Sequence, residues 1–102
     1  MQANTKLDAF QKAELKTMRV GAVQYGVKVV NLDNKTTIAY KALGNTVEFA
    51  LSVMAPTEKK FRPKVGEFWA LQKFFDSQIV KMAKPDFIVM CEFVWDAYPI
   101  HY

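Results

Sequence analysis

The chain has 102 residues, 51% of them apolar and 24% charged, with a formal net charge of +4. That length suits one hydrophobic core rather than two, and the composition is too apolar for a disordered tail. A single cysteine, Cys91, excludes an internal disulfide, no apolar run reaches the roughly 18 residues of a membrane span, and the polar start MQANTKLDAF lacks the apolar segment of a signal peptide. A cytoplasmic setting is expected.

From Asn4 to Arg19, the apolar residues Leu7, Phe10, Leu15 and Met18 recur at helical spacing, with Lys6, Lys12, Glu14 and Lys16 on the other faces. An amphipathic helix is expected there, capped by Asn4 or by Thr5 with Asp8. Arg19 sits at the negative end of its dipole, just before Gly21. Between Ala22 and Leu32 the pattern turns to strand alternation, Val23, Tyr25, Val27 and Val29 against Gln24, Gly26 and Lys28. Asp33, Asn34 and Lys35 are turn chemistry, and a second strand follows from Thr36 to Leu43. Gly44-Asn45 predicts a tight hairpin into a third strand, Thr46 to Met54, where Val47, Phe49, Leu51 and Val53 alternate with Thr46, Glu48 and Ser52.

Residues 55–64 carry Pro56 and Pro63 with Lys59, Lys60, Arg62 and Lys64, and so read as a loop. A helix is expected from about Val65 to Ala83, burying Val65, Phe68, Trp69, Leu71, Phe75, Ile79 and Met82, and ending at Lys84-Pro85. From Phe87 to Trp95 the run is apolar at alternating positions on both sides, broken by Glu92, which predicts a strand covered on both faces. The expected fold is α+β, one domain over 1–102, in the order α-β-β-β-α-β. It forms a two-layer sandwich of a three-stranded antiparallel meander plus a fourth strand, returned parallel by a crossover helix.

Charge is unevenly placed. Residues 1–85 hold all fourteen Lys and Arg, while 86–102 hold Asp86, Glu92 and Asp96 with no base except His101. The catalytic inventory is thin. The one histidine is the penultimate residue, where a rigid triad has no scaffold, and one Cys with one His cannot make a structural zinc site. Cys91 has no basic neighbour along the chain to stabilise a thiolate, and reads as core. As strand residues, Glu92 and Asp96 would stand about 13 Å apart, too far to share an ion. The glycines at 21, 26, 44 and 66 form no phosphate-binding loop. Carboxylate pairs drawn from Glu67, Asp76 and Asp86 are left to the folding, but no catalytic site, metal or cofactor is expected.

Two surfaces compete for a binding role. In the first, Lys59, Lys60, Arg62 and Lys64 surround Phe61 before the second helix, a pattern suited to an anion or to single-stranded nucleic acid, with Phe61 stacking on a base. Lys12, Lys16, Arg19, Lys28 and Lys41 extend it only if the fold gathers them; alternatively Phe61 packs back on the core. The second is the acidic, aromatic end, Trp95, Asp96, Tyr98 and Tyr102, with Ile88, Met90 and Val94 of the last strand needing cover. A homo-oligomer built there is expected, the alternative being a tail folded over its own domain.

Helix, three-stranded meander, helix is also the element order of the double-stranded-RNA-binding domain, and Lys59-Lys60 ahead of the second helix resembles the basic helix start of that family. The chain departs from it in lacking a Gly-Pro-x-His loop, in placing Pro63 where the family is helical, and in adding a strand. The OB-fold also puts a helix between its third and fourth strands, but a fifth strand is missing here. No family is assigned. A small, aromatic-rich domain without catalytic inventory looks like the accessory proteins of phages and mobile elements. The expected function is non-enzymatic occupation or sequestration of a protein partner. Nucleic-acid binding through 59–64 is the alternative, and a small-ligand sponge a second one.

Overall fold

A computed structural model of the chain describes residues 6–55 and 60–100. Within them, the alternation between Thr36 and Val53 produces the two longest strands. These are β2 (Thr36–Leu43) and β3 (Thr46–Val53), paired along their whole length from Thr36↔Val53 to Leu43↔Thr46. Gly44 makes the turn at φ 60°, a left-handed conformation open to a residue without Cβ. Ahead of them lie α1 (Ala9–Tyr25) and β1 (Lys28–Asn31), and after them α2 (Pro63–Phe75), β4 (Val80–Ala83) and α3 (Lys84–Trp95). The outer strands pair over half that length, β1 along Thr37–Tyr40 and β4 along Thr46–Phe49. The sheet order is β1-β2-β3-β4 and every pairing is antiparallel.

The α+β class and the order α-β-β-β-α-β stand, followed by a seventh element, but three boundaries move. First, α1 does not stop before Gly21. It runs on to Tyr25, so residues 22–25 are helical despite their strand-like alternation, and it ends where Gly26 takes φ 73° and Val27 N–H donates to Ala22 C=O at 2.8 Å. Gly21 lies inside the helix and faces Phe75, whose Cζ is 3.7 Å from where a Cβ would stand. The start is set by Asp8 rather than by the residues before it. Gln11 N–H donates to Asp8 Oδ1 at 2.8 Å and Asp8 N–H to Gln11 Oε1 at 3.0 Å, a reciprocal cap. Asn4 and Thr5 lie outside the described residues.

Second, α2 ends at Phe75 instead of Ala83. Ser77 adopts φ 62°, and Gln78 N–H donates to Lys73 C=O at 2.9 Å, closing the helix without a glycine. Gln78 and Ile79 then lead into β4, which lies antiparallel to β3 rather than returning parallel to the meander.

Third, residues 87–95 are helical and not a strand. Lys84-Pro85 does not end the second helix but starts α3, with Pro in its first turn, where no N–H is needed, and Asp86 beside it at the positive end of the dipole. Phe87 and Cys91 then fall one turn apart and are both fully buried.

This third change also alters the layering. Val27, Ala39, Val65, Phe68, Ala70 and Leu71 form one apolar cluster with Leu7, Leu15 and Ala22 of the N-terminal segment. Ile38, Tyr40, Val47, Phe49, Phe87 and Cys91 form a second. Successive β2 residues, Ile38 and Ala39, serve opposite clusters, as the two-residue period of a strand requires. The sheet is therefore covered on one face by α1 and α2 and on the other by α3, giving three layers in place of two. On the first face α2 approaches β2 closely at Gly66, where a Cβ would come within 2.3 Å of Thr37 Oγ1. Thr37 is itself fully buried and its hydroxyl donates to Asn31 Oδ1 at 3.1 Å.

Candidate functional site

The three-layer arrangement brings together two basic stretches distant in sequence. One is the N-terminal segment and first half of α1; the other is the segment 60–65 leading into α2. Between them runs an open groove of about 580 Å³. Lys6, Lys12, Lys16 and Arg19 line it from one side and Lys60, Arg62 and Lys64 from the other. Leu7, Leu15, Phe61, Pro63 and Val65 complete the lining, with Leu7, Leu15 and Val65 buried as part of the first cluster. Among the described residues no carboxylate lines it. The product is an apolar floor under a cationic rim.

Local sequence explains the placement. Lys12, Lys16 and Arg19 follow one another at spacings of four and three, which sets them on one side of α1, while Leu15 points into the core. On the opposite wall Pro63 opens α2 with its missing N–H at no cost, and Arg62 stands as N-cap without a side-chain cap bond. Val65 and Gly66 N–H both donate to Arg62 C=O, at 3.0 and 3.2 Å. The walls are joined at one end by Arg19, whose guanidinium reaches Glu67 of α2.

Of the residues singled out in the basic loop, Lys60 and Lys64 are exposed, Arg62 is half-buried, and Lys59 lies outside the described residues. Phe61 is half-buried and packs back towards α2, its Cε1 3.5 Å from where a Cβ on Gly66 would stand. Lys12, Lys16 and Arg19 are gathered with the loop; Lys28 and Lys41 are not, sitting in register on β1 and β2, with Lys41 opposite Glu48. The sequence offered the lysines but gave no sign of the apolar floor, since Leu7, Leu15 and Val65 read only as core.

The second surface changes character because its residues are helical. Ile88 and Met90 are half-buried, Met90 packed on the second cluster, and Val94 is exposed. Trp95, Ala97 and Ile100 also pack on that cluster, and Tyr40 Oη donates to Pro99 C=O at 2.7 Å, so the tail folds over its own domain. Tyr98 is about half exposed and Tyr102 lies outside the described residues. Glu92 and Asp96 are one helical turn apart rather than the strand separation expected. The charge of Glu92 first, then desolvation, the charge of Asp96 and a hydrogen bond with Glu92 raise the pKa of Tyr98.

The outward stripe of α3 is Pro85, Asp86, Val89, Glu92 and Phe93, continued by Asp96. Phe93 is 89% exposed and Val89 61%, although both were expected in a buried strand. The helical signal in the sequence is the spacing of Asp86, Val89 and Phe93 behind a proline.

The remaining chemistry is dispersed. Glu67 is held by Arg19, Asp76 caps the end of α2, and Asp86 lies in the first turn of α3. Cys91 is fully buried, and burial pushes its thiol up to about 11. Among the described residues no helix is long and apolar enough to cross a membrane, and no group of three or more His, Cys, Asp or Glu is gathered to hold a metal ion. No protein-family model, curated protein or solved structure matches the chain.

Proposed function

We propose that the protein is a non-enzymatic binding module that acts by occupying a protein partner, and that its groove takes an acidic, amphipathic segment of that partner. One observation carries this reading: seven cationic side chains from two separate stretches border a single groove whose floor is apolar. Lysine and arginine stems cover apolar surface while their heads stay in water, so such a groove pairs with a segment carrying both carboxylates and hydrophobic side chains. The reading extends to an inhibitory or accessory protein of the cytoplasm, of the phage type, working as a homo-oligomer. Support for self-association comes from the exposed Val89 and Phe93.

Nucleic-acid binding is the second reading, favoured by the same cations and disfavoured by Phe61, which is turned back on Gly66 rather than offered to a base. Fluorescence anisotropy separates the two. A labelled acidic amphipathic peptide and labelled single- and double-stranded DNA and RNA are titrated at two salt concentrations. The expected result is peptide binding that weakens moderately with salt and is lost in Lys12→Glu/Lys16→Glu. Tighter binding of nucleic acid with a steep salt slope would overturn the assignment, because counterion release then supplies the affinity.

A further inference from the structure

We infer that the groove of one copy receives the outward face of α3 from a second copy, so that the protein self-assembles head to tail. The inference rests on the groove reading above and names an occupant for it.

The α3 face has the composition the groove calls for. Asp86, Glu92 and Asp96 flank Val89 and Phe93, and Lys84, at the first position of the helix, is half-buried. A phenyl ring 89% in water is a large apolar group that the described residues leave uncovered. Across the molecule the groove presents the converse, an apolar floor bordered by Lys12, Lys16, Lys60 and Lys64. Acid meets base and apolar meets apolar in the same encounter, which sets orientation as well as attraction.

The layering decides between contact within a chain and contact between chains. The groove lies against the cluster on one face of the sheet, and α3 is seated on the cluster of the other face. A chain therefore cannot lay its own α3 in its own groove. Two different surfaces meeting in this way form a heterologous contact, which either closes into a ring or continues as a chain, and does not stop at a symmetric pair. Any acidic partner segment competes with α3 for the same groove, so assembly and partner capture oppose each other.

Sedimentation velocity over a concentration series tests the assembly. Phe93→Lys removes the inserted group, and Lys12→Glu/Lys16→Glu removes the receiving charge; all three positions are exposed, so thermal melts should match the parent. Wild type is expected to grow with concentration beyond a dimer or to a closed ring, and each variant alone to stay monomeric. An equimolar mixture of the two variants is expected to give a dimer and nothing larger, since it holds one intact α3 face and one intact groove per pair. A wild type that stays monomeric, a dimer that survives Phe93→Lys, or a mixture that remains monomeric overturns the proposal. Titrating the acidic peptide into the Phe93→Lys variant, whose groove is intact, separates the two readings. Peptide binding there beside a monomeric wild type sinks self-assembly alone, whereas absence of peptide binding sinks the groove reading and self-assembly with it.

Discussion

Arg19 of α1 and Glu67 of α2 are joined by two parallel hydrogen bonds, Nε to Oε2 at 2.8 Å and Nη2 to Oε1 at 2.6 Å. The guanidinium pKa is raised, chiefly by its hydrogen bond to Glu67. Both side chains keep water contact, at 45% and 21% exposure, which limits what the pair adds. A double-mutant cycle of Arg19→Met and Glu67→Gln is expected to give a coupling of about 0.5–1 kcal/mol, the upper range for a well-aligned surface pair. A coupling indistinguishable from zero in urea melts would show that packing alone holds the two helices together.

Gly66 is the place where α2 touches the sheet. Gly66→Ala gains about 1 kcal/mol of helix propensity, but its methyl meets Thr37 Oγ1 at 2.3 Å, inside any tolerated contact. Thr37 is fully buried and bonded to Asn31, so it cannot swing aside freely. Overpacking of this kind costs about 1–3 kcal/mol, and a net loss is expected. Combining it with Thr37→Ala should cost less than the sum of the two single changes, because the clash disappears with the hydroxyl. Additive melts would place the contact elsewhere.

Ser77 pays a backbone penalty that the sequence conceals. At φ 62° it holds a conformation that costs an L-residue with a Cβ about 1–2 kcal/mol. Ser77→Gly is expected to raise stability by about 0.5–1 kcal/mol, as the relief is partly offset by the greater entropy of glycine in the unfolded chain. A lower melting temperature in this variant would mean that the serine hydroxyl holds the turn.

Alkaline pH is expected to loosen the layer formed by α3. Burial pushes the Cys91 thiol from 9.0 up to about 11, and Tyr40 is raised by burial first and by Cys91 second. The unfolded chain releases the thiol proton near pH 9.0, while the folded chain holds it to about pH 11. Between these limits the folded state binds more protons, so this contribution is complete below the lower limit and declines as pH rises to the upper one. Urea melts of wild type and Cys91→Ala across that window should differ in slope, and the native thiol should resist a thiol reagent at pH 8 until the chain unfolds. Tyr40→Phe removes the donor to Pro99 C=O and is expected to cost about 1 kcal/mol with a shift in tryptophan emission as the tail lifts. An unchanged emission spectrum would mean the tail is held by Trp95 and Ile100 alone.

The strands between Thr36 and Val53 were legible because two independent local signals agree there, alternation and a Gly-Asn turn. The errors fall where local signals mislead. Gly21 imitates a helix stop, yet it is a contact point for Phe75, while the real stop at Gly26 lies inside an alternating run. Ser77 ends α2 in a left-handed conformation that the sequence marks with no glycine. Ile88, Val89 and Val94 supply strand-like β-branching to a segment whose proline and acid at the front belong to a helix. The groove was half legible: its lysines were visible, but the meeting of residues 6–19 with 60–65 is made by α1 packing on α2, which no local spacing encodes.

The unequal strand lengths carry one more consequence. With β1 and β4 each four residues long against eight for β2 and β3, two diagonal corners of the sheet have no neighbouring strand among the described residues, at Lys41–Leu43 and at Ala50–Val53. Such corners are templates for backbone addition and fibrillar growth. At the second corner the Lys73 ammonium, from the last turn of α2, donates to Leu51 C=O at 3.0 Å, and at the first Lys41 stands on the strand itself. An incoming strand must displace one cation or lie against another, which guards the molecule against amyloid-type stacking.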